Sequence, residues 1–245
     1  MSTTNKTFKN ALNHRRSIRK YDSNKPIDTA IVKQCVKQAT LAPNSSNMQL
    51  WEFYHITSAE ALQKISTFCF NQSAAKTAQQ MVVFVVRKDL WRKRIASNIS
   101  FLKTSFNNKP LKEYSSREKF AMNYYKKIMP LTYFDFLGIV GYLKYFIFWI
   151  VGLFRPIYRQ ARNSDMRVVA HKSTGLAAQT FMLGMADVGY DTCPMEGFDS
   201  LRIKKLLKLP LSAEINMVIS CGIRLPEGVY GEQFRIPFGE VYNAV

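Results

Sequence analysis

Cysteine and histidine are scarce in this chain of 245 residues, which has four cysteines and three histidines. No two cysteines are closer than 28 positions, and no CxxC pair occurs. This spacing argues against a zinc site and against a disulfide framework. The stretch from Met1 to Asn10 is polar and contains no apolar segment typical of a secretory signal. We therefore expect reduced core thiols, no bound metal and a cytoplasmic location.

Acidic residues are also few: 17 Asp and Glu stand against 35 Lys and Arg, which gives a net charge of +18. Such an excess predicts anionic partners, whether nucleic acid, lipid headgroups or phosphate-bearing ligands. Positions 87–162 hold 16 basic and 4 acidic residues, so they carry 16 − 4 = +12 of the total. Because these cations form no recognisable nucleic-acid-binding module, we expect no nucleic-acid partner.

The glycine-rich phosphate loops are missing as well, since neither GxGxxG nor GxxxxGK[ST] occurs. The absence of both motifs argues against a Rossmann site for a nicotinamide cofactor and against a P-loop. Helix-type and strand-type patterns interleave along the chain without a repeat or a dividing linker. We expect a single α+β domain over residues 1–245, with a central sheet flanked by helices and a long helical insertion at about 87–162.

Periodicity and end signals predict the main elements of this domain. A helix rich in small residues runs from Asp165 to Val188, and Gly189 suits a left-handed terminator. Thr57 and Glu60 have capping-box spacing for a helix at Ala59–Phe68. The other predictions are helices from Asp28 to Leu41 and from Asp199 to Leu209, and strands at Trp51–Thr57, Met81–Val86 and Ile215–Ile223.

Four short segments carry side chains that could bind a ligand. Arg15–Tyr21 (RRSIRKY) offers four cations and a hydroxyl, which suit a phosphate monoester, although a basic turn alone is more often merely solvated. Ala42–Trp51 (APNSSNMQLW) is a polar loop. Cys193–Phe198 (CPMEGF) has a glycine that lets the main chain approach a flat ligand. Gln233–Pro237 (QFRIP) adds a guanidinium near the C-terminus.

In their order and spacing these four segments resemble the signatures of the nitroreductase family, over about two-thirds of the chain. The resemblance implies a nitroreductase-like fold with a central mixed or antiparallel sheet, and a homodimer with flavin mononucleotide (FMN) at the subunit interface. It also implies an enzyme. NADH or NADPH would give hydride to FMN, and a nitroaromatic, quinone or similar small acceptor would then take it by a ping-pong mechanism.

The resemblance assigns the phosphate and ribityl end of FMN to both ends of the chain. The residues expected to bind there are Arg15, Arg16, Ser17, Gln233 and Arg235. Gln233 departs from the family pattern, in which lysine is common at this position. The arginines would therefore neutralise more of the phosphate charge.

The resemblance assigns the flavin ring to other segments. Arg19 would reach the pyrimidine edge, where a cation stabilises the negative charge that develops on reduction, and Asn71 would hydrogen-bond the ring. The main chain at Glu196 and Gly197 would face the flavin N5, and no side chain is expected to be catalytic. The remaining assignments are Pro194 and Met195 and, from the other subunit, Pro43, Asn44, Ser45 and Asn47.

Two alternatives stay open. One is a related flavin chemistry, such as reductive dehalogenation or enone reduction. The other is a membrane-peripheral flavin-binding protein, because residues 131–154 are almost wholly apolar and are flanked by cations. That length could span a bilayer, but both flanks belong to one folded core. We therefore expect either a lid over the flavin cleft or an in-plane helix on an anionic membrane surface.

Overall fold

Four strands form an antiparallel sheet at the centre of the structure, a computed structural model that describes residues 7–245. The strand order is β1 (Trp51–Ile56), β2 (Gln80–Val86), β4 (Glu214–Gly222) and β3 (Asp191–Met195). Each neighbouring pair runs antiparallel. Strand β2 is buried over its whole length, as its continuous apolar run predicts.

Helices cover both faces of this sheet and build the insertion. Those outside the insertion are α1 (Phe8–His14), α2 (Thr29–Ala39), α3 (Ala59–Phe68), α4 (Ser73–Lys76), α9 (Asn163–Asp187), α10 (Ser200–Leu206) and α11 (Phe238–Val241). Those of the insertion are α5 (Trp91–Ser105), α6 (Ser116–Asn123), α7 (Met129–Tyr133) and α8 (Ile139–Val151), with a π-helical turn at Tyr124–Ile128. Short 3-10 turns lie at Ser45–Asn47, Lys88–Leu90, Leu111–Glu113 and Pro226–Gly228.

The hydrophobic core lies on both faces of β2. Val83 and Val85 pack into one cluster with α3 and α10, whereas Val82 and Phe84 pack into a second with α2 and α9. Successive side chains of a strand point to opposite faces, so a buried strand must be apolar at every position. The sheet is therefore a rigid platform, and β3 forms one of its edges.

The small residues of α9 allow α2 to pack closely, as the sequence predicts. A methyl group added at Gly184 would lie 2.7 Å from the side-chain oxygen of Gln38. Ala177 and Ala178 are fully buried against the same cluster. Gly189, just after the helix, has a φ of +83°, which confirms the left-handed terminator.

One of the two predicted helix caps is confirmed, and the other lies one residue away from its predicted position. The side chain of Asp28 caps α2 by accepting from the Ala30 amide at 2.7 Å, as expected. Helix α3, however, is capped by Ser58 and not by Thr57, so that prediction is wrong by one residue. Strand β3 is a further difference, because no strand was predicted at Asp191–Met195. Proline is tolerated at a sheet edge, where its missing N–H breaks no ladder bond.

The apolar stretch 131–154 is divided between two helices. The chain turns at Leu137 and Gly138, whose φ angles are +52° and +82°, and this turn separates α7 from α8. The carboxylate of Asp135 accepts from the Gly141 amide at 2.8 Å and so stabilises the first turn of α8. Within residues 7–245, no helix combines the length and the apolar character that crossing a membrane requires.

Candidate functional site

The arginine-rich segment lies along the free edge of β3. Ser17 pairs with Thr192 in a parallel bridge, and the Ile18 amide donates to the Thr192 carbonyl at 3.1 Å. Ile18 is fully buried in the core. Because alternate side chains of an extended segment point in opposite directions, Ser17 and Arg19 face away from that core.

A carboxylate anchors this segment to the sheet. Asp191 is 3% exposed and accepts from both the backbone amide and the Nε of Arg224, each at 2.8 Å. The Nε2 of His14 lies 3.2 Å from the same carboxylate, and Arg224 also donates to the His14 carbonyl at 2.7 Å. Burial alone would raise the pKa of Asp191, but the contacts with His14 and Arg224 lower it below its ordinary value. Asp191 therefore fixes the end of α1, from which the arginines project.

The C-terminal tail crosses over the same segment. The Arg19 amide donates to the Gly228 carbonyl at 2.7 Å, and the Arg16 guanidinium donates to the Gly231 carbonyl at 2.8 Å. A methyl group at Gly228 would lie only 2.4 Å from the Lys20 carbonyl oxygen. Glycine is therefore required for this crossing, and the crossing brings the tail to the arginines.

Both chain ends meet around one cavity of about 220 Å³. Its lining consists of Arg15, Arg16, Ser17, Arg19, Val229, Tyr230, Glu232, Gln233, Phe234 and Arg235. Burial, followed by the charges of Arg235 and Arg16, lowers the pKa of Arg15. The cavity thus gathers cations that repel one another, and a bound anion would relieve that repulsion.

Cys193 lies between this cavity and the core. Its sulfur accepts from Nη1 of Arg19 at 3.5 Å, and the thiol is fully buried. Burial raises the pKa of Cys193, whereas the charges of Arg19 and Arg15 oppose that effect. The thiol therefore contributes an apolar, protonated floor beneath Arg19 and is not a nucleophile.

The far end of β3 leads to a second polar region. From Thr192 to Met195 the strand advances about 10 Å. The next residues, Glu196 and Gly197, are exposed, and the Gly197 carbonyl accepts from the side-chain Nε2 of Gln72 at 2.8 Å. Sequence reasoning missed Gln72, which has no motif of its own.

Asn71 and Met195 are the predicted flavin-binding residues in this region whose backbone angles or burial limit how they can contact a ligand. Asn71 and the preceding Phe70 have positive φ angles of +52° and +56°. Such strain is retained mainly where the surroundings impose it, often at functional sites. The side chain of Met195 is buried in the core, so only its main chain can reach a ligand.

The loop Pro43–Asn47 lies apart from the basic cavity of its own chain. Ser46 and Asn47 have φ angles of +54° and +49°. The loop is held by the insertion and by α9: the Ser46 hydroxyl lies 2.6 Å from the Tyr124 hydroxyl, and the Ser45 amide donates to Ser173 at 3.3 Å. None of its residues lines the cavity that contains Arg15 and Arg235. The predicted site residues therefore fall into two sets within one protomer.

A family model described as the nitroreductase family matches residues 12–223, which is well over half of the chain. The chain belongs to the nitroreductase family. As a member it is an oxidoreductase, and its α+β fold with an antiparallel sheet confirms the predicted fold class.

Relatives of this nitroreductase align over nearly their whole length. Protein DrgA of Synechocystis sp. is 24% identical over 235 residues, which cover 94% of this chain and 92% of DrgA. The Bacillus subtilis protein named "Putative NAD(P)H nitroreductase MhqN" is 22% identical, with 95% of this chain and 96% of that protein covered.

Solved structures show the same fold. A structure described as putative nitroreductase ydfN of Bacillus subtilis has a TM-score of 0.73 at 20% identity, covering 97% of this chain and 98% of its own. One from Exiguobacterium sibiricum, described as a putative nitroreductase in complex with FMN, has a TM-score of 0.68 at 23% identity, with 98% of each chain covered. At these identities the likeness concerns the fold of this nitroreductase and not its ligands.

Proposed function

We propose that the chain is an FMN-dependent oxidoreductase that takes hydride from NADH or NADPH and reduces a nitroaromatic, quinone or similar small acceptor. The observation that carries this proposal is the cavity in which Arg15 and Arg235, 220 positions apart in sequence, face one another. A cluster of guanidinium groups beside a serine hydroxyl matches the donors that a phosphate monoester needs.

The residues present fit FMN. Arg15, Arg16, Ser17 and Arg235 would hold the phosphate, with Gln233 as a neutral donor where lysine is common in the family pattern. Arg19, placed between this cavity and the end of β3, would stabilise negative charge at the pyrimidine edge. When bound, FMN supplies the hydride-transfer chemistry, in a ping-pong order of donor and acceptor.

The ring would lie along the far end of β3. The main chain at Pro194, Met195, Glu196 and Gly197 would border its reactive edge. Asn71 would donate a hydrogen bond to the ring, and Gln72 fixes Gly197 at 2.8 Å. The protein's part is to bind and orient, and no side chain is assigned as a general acid.

A homodimer would unite the two sets of site residues. In one protomer the loop residues Pro43, Asn44, Ser45 and Asn47 lie outside the basic cavity, so a second chain would have to bring them over the flavin. The tail is also suited to contact a partner, because residues 231–245 are exposed throughout and include Phe234 and Phe238, 74% and 71% exposed. Such exposure of large apolar side chains is typical of an interface.

Steady-state kinetics test the proposed function. Purified protein supplied with FMN should oxidise NADH or NADPH only when an acceptor is present, and double-reciprocal plots at several acceptor concentrations should be parallel. Nitroaromatic, quinone, enone and haloaromatic acceptors are compared under the same conditions. If only enones or only haloaromatics are reduced, the acceptor belongs to that class and not to the nitroaromatics or quinones. If none of the four classes is reduced, the proposal is refuted.

We also propose that the outer face of α8 binds an anionic membrane surface. This face exposes large apolar side chains, among them Tyr142, Leu143, Phe146 and Trp149, which are 67%, 58%, 59% and 48% exposed. The insertion that carries it holds +12 of the net charge. An apolar helical face flanked by cations is typical of in-plane membrane helices.

Replacing Leu143 with glutamate should weaken sedimentation with anionic vesicles about tenfold, because it removes a leucine that would be buried in the membrane and adds a charge that anionic lipid repels. Leu201→Glu is the matched control, since Leu201 is 62% exposed on α10, outside the insertion. Equal sedimentation of both variants and the wild type would contradict the proposal. If Leu143→Glu instead splits a dimer, the face belongs to a second copy of this chain.

A further inference from the structure

A second and larger cavity of about 430 Å³ lies beneath α8. Its walls come from α7, from the inner face of α8, from residues 157–161 and from α9, and its floor is formed by Ser45 and Ser46. The lining is Ser45, Ser46, Tyr124, Ile128, Met129, Leu131, Thr132, Tyr133, Lys144, Phe148, Ile157, Tyr158, Gln160, Ala161, Met166 and Val169. Small-molecule sites are commonly 300–1,000 Å³ and mostly apolar, and this cavity meets both criteria.

Lys144 is the one charged side chain in this lining, and its ammonium group is already hydrogen-bonded to main-chain carbonyls. Its Nζ donates to the carbonyls of Leu131 at 3.0 Å, Thr132 at 3.3 Å and Phe134 at 2.8 Å. These carbonyls end α7, so the ammonium group caps that helix. The three N–H donors of this ammonium group are therefore engaged, and none is left for a ligand in the cavity.

The remaining polar groups of the cavity are neutral donors. Tyr124, Tyr133 and Tyr158 line it together. Burial, followed by the neighbouring phenols of Tyr158 and Tyr124, raises the pKa of Tyr133 to about 12, so this hydroxyl stays protonated at neutral pH. Protonated phenols can donate hydrogen bonds to carbonyl oxygens of an uncharged ligand.

We infer that this cavity binds the acceptor, and that the acceptor is a quinone bearing an apolar side chain. The inference rests on the proposed function, in which the loop containing Ser45 covers the flavin of the partner subunit. The cavity adjoins that loop, so an acceptor held here would border the site of hydride transfer. Apolar walls would bury the side chain, while the tyrosine hydroxyls would bind the quinone oxygens.

The reaction balances with the donor that the proposed function supplies. The quinone gains a hydride equivalent from NADH or NADPH and one proton from water. The products are the hydroquinone and NAD⁺ or NADP⁺. Both carbonyl oxygens become hydroxyls, so the class of reaction that regenerates this acceptor is a two-electron oxidation of a hydroquinone.

Equilibrium binding tests the inference without turnover. Oxidised, FMN-loaded protein is titrated calorimetrically with a decyl-substituted naphthoquinone and with the same ring carrying a methyl group in place of the decyl chain. The wild type should bind the decyl compound at least about tenfold more tightly, because each methylene that is fully buried tightens binding about three- to fourfold, so that burial of only two methylenes of the chain reaches this factor. Equal affinities in the wild type would overturn the inference.

A pair of neighbouring valines provides the matched variants. Val169→Phe fills the cavity and should abolish the preference for the decyl compound. Val168→Phe places the same ring on the same helix at a position that is 47% exposed and outside the cavity lining, and should keep the preference. If Val169→Phe does not fold, Ala161→Leu fills the cavity from another wall. If a cavity-filling variant still binds the decyl compound more tightly than the methyl compound, the decyl chain binds elsewhere, and the cavity is not its site.

The two levels of the proposal fail in distinguishable ways. A chain that retains no FMN and reduces no acceptor contradicts the proposed function. A chain that retains FMN and reduces the methyl naphthoquinone, but binds both quinones equally, contradicts only the inference about the cavity.

Discussion

Replacing Arg15 with alanine is expected to weaken FMN binding about 30- to 100-fold. Arg15 lies between Arg16 and Arg235 in the basic cavity, where it is half-buried. Hydrogen bonds between charged groups contribute roughly 1.5–3 kcal/mol each, and 1.4 kcal/mol corresponds to a factor of ten. Arg235→Ala should change the affinity in the same direction. Flavin fluorescence during titration of the apoprotein measures the dissociation constant.

The control for both variants is an arginine outside the cavity. Arg117 is exposed on α6, so Arg117→Ala removes one positive charge without touching the site. Its affinity for FMN should stay within about twofold of the wild type, because exposed charges beyond a Debye length are largely screened. If Arg15→Ala and Arg117→Ala weaken binding equally, the effect is one of net charge and the cavity is not the phosphate site.

Replacing Asp191 with asparagine should lower the free energy of unfolding by about 2–3 kcal/mol. The carboxylate is 3% exposed and accepts several hydrogen bonds from Arg224. Breaking a buried ion pair costs about 3–5 kcal/mol, and the partial exposure of Arg224 and His14, 27% and 26%, reduces that figure. Asparagine would also direct its own N–H donors at the N–H donors of Arg224, so that hydrogen bonds would be lost. Urea unfolding at neutral pH measures the change.

The destabilisation should depend on pH in a direction fixed by the lowered pKa of Asp191. A carboxylate whose folded pKa is below its unfolded value, about 3.9, stabilises the fold at pH values above that number. The contribution disappears as pH falls through the folded pKa. The difference in unfolding free energy between the wild type and Asp191→Asn should therefore narrow as the pH falls below about 4. Asp187→Asn, at the half-buried end of α9, is the control, and a gap independent of pH would contradict the assigned role.

Local signals in the sequence predicted much of this fold. The cap at Asp28, the terminator at Gly189 and the buried strand at Met81–Val86 each depend on residues within one element, so the pattern is sufficient. Strand β3 was missed because its pairing partner, β4, lies more than 20 positions away and because Pro194 argues against a strand. The cap of α3 was misplaced because Thr57 and Ser58 are adjacent hydroxyls.

The candidate site shows the same limit. The arginine segment and the tail were predicted to meet through a family resemblance, and the structure places both at one cavity. Gln72 and Asp191 could not be predicted, because each acts through a contact with a residue distant in sequence. The cavity beneath α8 also escaped prediction. Its walls form only when the apolar stretch 131–154 bends at Leu137 and Gly138.

The central claim is that the two ends of the chain build a binding site for the phosphate of FMN. The most direct test compares the affinity of the apoprotein for FMN with its affinity for riboflavin, which has the same ring and ribityl chain but no phosphate. We expect FMN to bind at least about 100-fold more tightly, as several charge-assisted hydrogen bonds to the phosphate require. Equal affinities for the two flavins, or no binding of either, would contradict the account.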